Sequence, residues 1–412
     1  MKLKRALVID ISPLRTSRDF RLLWSGHAVS FFGSELAWVA VPFQVYQLTH
    51  STLAVGLISL FALVPLLTMS LLGGAFADAF DRRKVAFFSE LSLAAVAAVL
   101  VANALLPHPQ LWLLYAVTVV DAGLSGLGRP SRDAMVPRLV SKEQLPAAAA
   151  LMSMYFNVAS IAAPALAGVL IALVGLPLTY GIDVLSFGAS LAAFQSMKNH
   201  PPAEDADSMS LKGVLDGLRF LRGRKVLQGT YLIDYAAMIF GMPEALFPAM
   251  ANSRFGGPQA LGLLYAAPAA GALLVSATSG WAGSIRRHGL AITFGVVAWG
   301  LAIIGFGVAQ PLWLAVLFLA AAGGGDMVSG IFRNAIWNTT IPDQFRGRLG
   351  GVAMANYTSG PLLGNFESGA VAAWRGIQFS VISGGVLCLV AAAAVVAIMP
   401  QLLRYDSRDP TP

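Results

Sequence analysis

The chain has 412 residues, of which 57% are AVILMFWYC and 12% are charged, with a mean hydropathy of +0.69 and a net charge of +7. A water-soluble domain carries about a quarter of its residues as Asp, Glu, Lys and Arg, so a soluble enzyme, a disordered regulator and a disulfide scaffold are excluded, and a polytopic membrane protein remains. The lone Cys388, inside an apolar run, excludes an internal disulfide and a thiol-rich metal site.

Crossing the hydrocarbon core takes about 20 mostly apolar residues. Twelve such runs follow one another: 22–48, 52–76, 86–106, 111–134, 146–172, 177–197, 228–250, 260–283, 290–309, 312–338, 349–372 and 376–399. The first is preceded by the charged segment Lys2 to Arg21 with no small-residue cleavage pattern, so it reads as a retained span. The organisation predicted is a cytoplasmic segment 1–21, a six-helix bundle 22–198, a cytoplasmic linker 199–225, a second six-helix bundle 226–400 and a cytoplasmic tail 401–412. The linker holds Pro201, Pro202 and the acidic cluster Glu204, Asp205 and Asp207.

With the N-terminus inside, every second loop is basic: Arg82, Arg83 and Lys84; Arg138 and Lys142; Lys198 through Lys225; Arg286 and Arg287; Arg346 and Arg348; Arg404 and Arg408. The alternate loops hold only Arg254 and Arg375, which is the cytoplasmic enrichment of a plasma-membrane protein with both termini inside. The positive charge therefore reports orientation in a lipid bilayer and not a nucleic-acid partner. The two halves also echo each other. Asp121 precedes Pro137 and Asp326 precedes Pro342 by the same interval, at an offset of 205, and Gly74 matches Gly280 at 206, half the chain length. Two bundles related by an axis along the membrane normal fit this pattern.

Acids at mid-bilayer depth cost about 2.5–3.5 kcal/mol on insertion scales, so they are expected to face a cavity or be neutralised. Glu35, Asp121, Asp234 and Asp326 lie near the centres of spans one, four, seven and ten. Arg333 follows Asp326 by seven residues, about 10 Å along one helix face, a separation that reads as too long for a direct ion pair. Asn334, Asn338 and Arg129 add polar positions, and Trp38 stands one turn from Glu35, giving Trp38, Arg129, Arg333, Asn334 and Asn338 as candidate substrate contacts. A protonatable acid whose exposure alternates between the two sides is what proton antiport requires, and Glu35 and Asp121 are first choices, with Asp234 and Asp326 beside them. One proton moving down 100 mV supplies about 2.3 kcal/mol, enough for roughly a 40-fold gradient of a neutral solute.

The motifs resemble a known family. Asp19-Phe20-Arg21-Leu22-Leu23-Trp24, Val39-Ala40-Val41-Pro42, Gln47-Leu48-Thr49-His50-Ser51-Thr52 and Gly74-Ala75-Phe76-Ala77-Asp78 with Arg82-Arg83-Lys84 are similar to the major facilitator superfamily, and within it to the efflux branch of the enterobactin exporters. The loop between spans two and three resembles the superfamily's Gly-x-Leu-Ala-Asp-Arg-x-Gly-Arg-Arg signature, departing at Ala79, where a basic residue is usual, and at Asp81, where glycine is usual. The resemblance implies that Gly74, Asp78, Arg82 and Arg83 form a conformational latch. Asp78 would dock on the eleventh span near Gly350 and Gly351 in the outward-facing state. It further implies that spans one, four, seven and ten line a central cavity. Ala159 through Gly168 is similar to the Gly-Pro pattern in the fifth span of proton-coupled exporters, with Ala163, Pro164 and Gly168 at its centre and alanine at three of its glycine positions.

No Gly-Lys-Ser/Thr phosphate loop is present, and His27, His50, His108, His200 and His288 are scattered without ligand spacing. Neither a metal, a cofactor nor a catalytic pair is expected. The reading is an all-α, twelve-helix secondary transporter of the inner membrane, monomeric, expelling an amphipathic siderophore or drug in exchange for protons. A symporter or sensor of the same fold is the alternative.

Overall fold

Inside lipid every backbone amide has to find a partner within the protein, and a helix provides one inside its own segment. The computed structural model describes residues 10–198 and 211–408, with the side chains at 74, 75, 77, 78, 211–214 and 343 outside the described set. The acidic linker cluster Glu204, Asp205 and Asp207 lies outside the described residues as well. The first six spans are the helices α1 (Arg18–Thr49), α2 (Thr52–Ala79), α3 (Arg82–Leu105), α4 (Leu111–Leu139), α5 (Leu145–Leu173) and α6 (Gly175–Ser196). The seventh, α7, is in two pieces, Lys225–Phe240 and Phe247–Ser253. Then come α8 (Pro258–Ala277), α9 (His288–Val308), α10 (Leu312–Thr340), α11 (Asp343–Arg375) and α12 (Ile377–Ile398).

Among the described residues, ten of these are long and apolar enough to span a membrane, and α7 and α11 fall outside that set. The continuous seventh span predicted over 228–250 breaks after Phe240 because Gly241 and Pro243 interrupt the hydrogen-bond ladder, leaving a single turn at Glu244–Leu246. An opened backbone in a membrane has to be satisfied from a neighbour, and α11 does it. The Asn365 side-chain oxygen accepts from the Ala245 amide at 3.1 Å, and its amide group reaches the Glu244 carboxylate at 3.4 Å. The polarity that keeps α11 out of the apolar set is therefore in part what repairs α7. The eighth span is shorter than predicted, since residues past Ala277 tighten into a 3₁₀ turn over Ser279–Ser284.

The described residues of Met1–Val41 and Val64–Ser208 form one compact unit, and those of Pro42–Leu63 and Met209–Pro412 form another. Residues 42–63, the end of α1 and the start of α2, which the sequence reading placed in the first bundle, group by their contacts with the second unit. There the Thr52 hydroxyl donates to the Gly369 carbonyl of α11 at 3.0 Å, and a Cβ placed on Gly56 would stand 2.9 Å from the Asn365 carbonyl oxygen. Glycine is needed at that crossing. In the same unit α9 and α10 touch backbone to backbone, where a Cβ on Gly295 would lie 2.6 Å from the Gly325 carbonyl oxygen.

In the first unit, Asp81 caps α3, its carboxylate accepting from the Arg83 amide at 2.9 Å, so the departure from the glycine of the family signature has a structural role. Arg82 is buried and donates to the Ala134 carbonyl of α4 at 3.1 Å; Arg83 donates to the Gln195 carbonyl in the last turn of α6 at 3.1 Å. Cations on helix carbonyl ends are favourable, and here they fasten three helices at one end of the unit. The side chains of Gly74 and Asp78 lie outside the described residues. Ala159, Ala163, Pro164, Ala167 and Gly168 are all buried on α5, forming one small-residue stripe.

Candidate functional site

The three mid-span charges predicted in the second unit meet. Arg333 on α10 pairs with Asp234 on α7 and lies 3.5 Å from Asp326 on its own helix. Asp234 and Arg333 are buried, whereas the Asp326 side chain is 42% exposed, so one acid of the set remains accessible. The expectation that seven residues separate Asp326 from Arg333 too far for pairing is wrong. Helical side chains lean back toward the N-terminus of their helix, and a long guanidinium stem closes the two-turn gap.

Around this centre, Asn356 of α11 donates to the second Asp234 oxygen at 2.7 Å, and the Tyr357 ring lies 5.7 Å from the Arg333 guanidinium. One turn after Arg333, Trp337 stacks on Tyr231 with ring centroids 4.6 Å apart and donates to the Thr230 hydroxyl at 2.9 Å. Three helices thus converge on one cation. The Asp234–Arg333 pair ties α7 to α10 and the Asn356 bond ties α11 to α7, and removing one partner of such a buried pair costs about 3–5 kcal/mol. The cluster as drawn has one cation and two acids. It is therefore able to hold one added positive charge without breaking the Asp234–Arg333 pair.

The other predicted positions are dispersed. Asn334 and Asn338 are exposed, and the Asn338 carbonyl accepts from Arg346 at 3.3 Å. In the first unit Glu35 is half-buried on α1, Trp38 is 50% exposed, and Asp121 is exposed on α4. Arg129 faces Asp133 at 3.7 Å with both side chains exposed, so it is an outward pair of α4 and not a buried cation. The buried cation of that helix is Arg132, which sequence reasoning missed. Its Nη1 lies 3.0 Å from Oε1 of Glu90 on α3, itself 2% exposed, and His27 Nδ1 of α1 is 4.0 Å from the same oxygen. A lone carboxylate inside the otherwise apolar third span was the available signal.

Helix bounds also revise the internal repeat. Helix α4 runs from Leu111 to Leu139 and α10 from Leu312 to Thr340, each 29 residues, an offset of 201. Asp121 and Asp326, at 205, are one turn out of register. The residue that matches Arg333, seven before the helix end in both cases, is Arg132.

A model of a family described as transmembrane secretion effector matches residues 9–412. Proteins described as enterobactin exporters from Shigella boydii and Escherichia coli O81 are each 28% identical over 408 residues, covering 99% of this chain and 98% of their own. Among solved structures, a POT family transporter in complex with 5-aminolevulinic acid superimposes with a TM-score of 0.72 at 13% identity, over 94% of this chain and 97% of its own. The nucleoside transporter NupG does so at 0.71 with 14% identity, over 94% and 98%. At that identity the likeness speaks to the fold, which is the twelve-helix major facilitator architecture.

Proposed function

The chain belongs to the transmembrane secretion effector family, and on that premise we propose that it is a secondary exporter of amphipathic small molecules in the bacterial inner membrane, working by alternating access and driven by proton antiport. The observation that carries the reading is the Asp234–Arg333–Asp326 cluster. Charges at membrane depth are expensive and mark transport pathways, and this set has one carboxylate more than it has cations. A proton on the accessible Asp326 balances the cluster, and its departure restores the surplus, while the buried pair holds the helices throughout.

The basic loops then face the cytoplasm, with both termini on that side. Arg82 and Arg83 support a latch with Gly74 and Asp78, since they tie the start of α3 to α4 and α6. Glu35 and Asp121 are retained as further protonatable positions of the first unit, and Trp38, Asn334 and Asn338 as polar or aromatic positions a solute could touch. Two substrate classes are supported by different observations. The relatives named for enterobactin favour a siderophore. The pairing of Arg129, Arg132 and Arg333 with carboxylates leaves these three cations committed, which favours a neutral or cationic amphiphile.

Inside-out vesicles under an imposed pH gradient test the proposal, with enterobactin and a fluorescent lipophilic cation as probes. We expect one of them to accumulate and to dissipate the gradient, and Asp326→Asn to abolish both effects. If neither probe is concentrated by correctly inserted protein, export of these classes is wrong. If Asp326→Asn transports and moves protons normally, the coupling assignment is wrong.

A further inference from the structure

The first unit has a buried charge cluster of its own, made of residues that none of the transport roles above uses. Glu90 on α3 is 2% exposed, and one of its oxygens, Oε1, takes the Arg132 guanidinium at 3.0 Å. The other, Oε2, is buried with no hydrogen-bond partner. Leaving a carboxylate oxygen unsatisfied in a low-dielectric interior is costly, so the site is built short of one donor. The imidazole of His27 lies beside the same carboxylate, next to the oxygen that Arg132 already holds. Its Nδ1 stands 4.0 Å from Glu90 Oε1 and 3.5 Å from the Ser30 hydroxyl. In the neutral tautomer that carries its proton on Nε2, Nδ1 is an acceptor open to the Ser30 hydroxyl, which also donates to the His27 carbonyl at 3.3 Å, and a protonated ring donates from Nδ1.

We propose that His27 and Glu90 form a second proton-binding site, in which a proton taken from water by His27 Nδ1 replaces the Ser30 contact with a charge-assisted bond to the Glu90 carboxylate, Arg132 remaining as the fixed anchor. No covalent bond other than N–H forms, and release returns the proton to water. With His27 neutral the cluster is balanced, Arg132 against Glu90; the bound proton makes it cationic. The charged and titratable groups within electrostatic reach of the site are Arg132 and the outward Arg129 and Asp133 from α4, Tyr155 from α5 and Asp183 from α6. The Tyr155 ring meets the imidazole edge to face at 5.6 Å, and Asp183 is engaged by the Ser34 hydroxyl at 3.4 Å. The proposal rests on the exporter reading for its purpose in the cycle, but the binding of the proton can be measured without any solute.

The experiment is a pH titration, by nuclear magnetic resonance, of the full chain carrying ¹⁵N-labelled histidine in lipid nanodiscs. The signal lost in His27→Asn identifies this imidazole among the five histidines of the chain. We expect its signal to titrate while the protein stays folded, and its midpoint to move in Glu90→Gln. Glu90→Asp, which keeps the charge and retracts it, should move the midpoint by a smaller amount. A His27 signal that does not titrate, or whose midpoint is the same in the wild type and in either Glu90 variant, overturns the proposal. Should Glu90→Gln not fold, Glu90→Asp and the wild-type titration decide. In vesicles, His27→Asn should lose gradient-driven accumulation of the transported probe and keep its exchange at equal pH. Failure of export with a titrating, Glu90-dependent His27 would sink the exporter reading and leave the proton site standing.

Discussion

The two units carry the same cation in the same place and surround it differently. Arg132 and Arg333 stand seven residues before the ends of α4 and α10. His27 and Asp234 stand nine residues after the starts of α1 and α7. In the second unit the first-helix position supplies the acid directly, and the third helix has Val296 where the first unit has Glu90, each eight residues after its helix start. The carboxylate has in effect moved from the first helix of the half to the third, with an imidazole in the vacated position. Charge bookkeeping then differs. The second unit holds two acids against one arginine and stays paired whichever protonation state Asp326 takes; the first holds one acid against one arginine and changes its balance with every proton.

The largest expected effect probes what the clusters share. Arg333→Leu leaves Asp234 buried without its cation and should cost about 3–5 kcal/mol, seen as a large drop in the thermal unfolding midpoint of the purified protein. Adding Asp234→Asn should recover most of that loss, because the penalty belongs to the stranded charge. If the double variant is as unstable as the single one, the pair does not hold α7 to α10 as described.

The next prediction separates the clusters. Glu90→Gln strands Arg132 and should destabilise by about 1–3 kcal/mol. Asp326→Asn keeps the Asp234–Arg333 pair and should change stability by less than about 1 kcal/mol, while removing proton coupling. Equal destabilisation by the two substitutions would erase the asymmetry. A smaller structural effect is expected at the repaired break of α7. Asn365→Ala removes the acceptor of the Ala245 amide and should cost about 1–2 kcal/mol, with hydrogen exchange accelerating at Ala245 and Leu246 ahead of the rest of α7.

Much of this was legible in the sequence. Span number, the alternation of basic loops and the acids Asp234 and Asp326 follow from hydropathy and from the cost of charge in lipid, which act on single residues. What was not legible depends on rotation and on neighbours. Gly241 and Pro243 announce a weak point in span seven, but only the position of Asn365 decides that the chain can afford to open there. The internal repeat was read from matching acids, whereas the helices align on matching arginines, because the acid in this fold is free to come from any helix that faces the cation. Glu90 looked like an isolated interruption of span three until Arg132 and His27 were brought to it.

Arg129 and Arg132 mark the boundary of what spacing alone can say, and they give the smallest expected effect. Three residues on a helix are about 300° of rotation, a net separation of about 60°, so the two positions are neighbours on the helix surface and only their partners distinguish the exposed guanidinium beside Asp133 from the buried one on Glu90. Exposed pairs at helical spacing contribute about 0–1 kcal/mol, so Arg129→Ala should leave the unfolding midpoint within error and the His27 titration nearly unmoved. Arg132→Ala should shift both. A wild-type-like Arg132→Ala alongside a destabilised Arg129→Ala would mean that the buried cation of α4 has been assigned to the wrong face. The register equivalence with Arg333 would then fall with it.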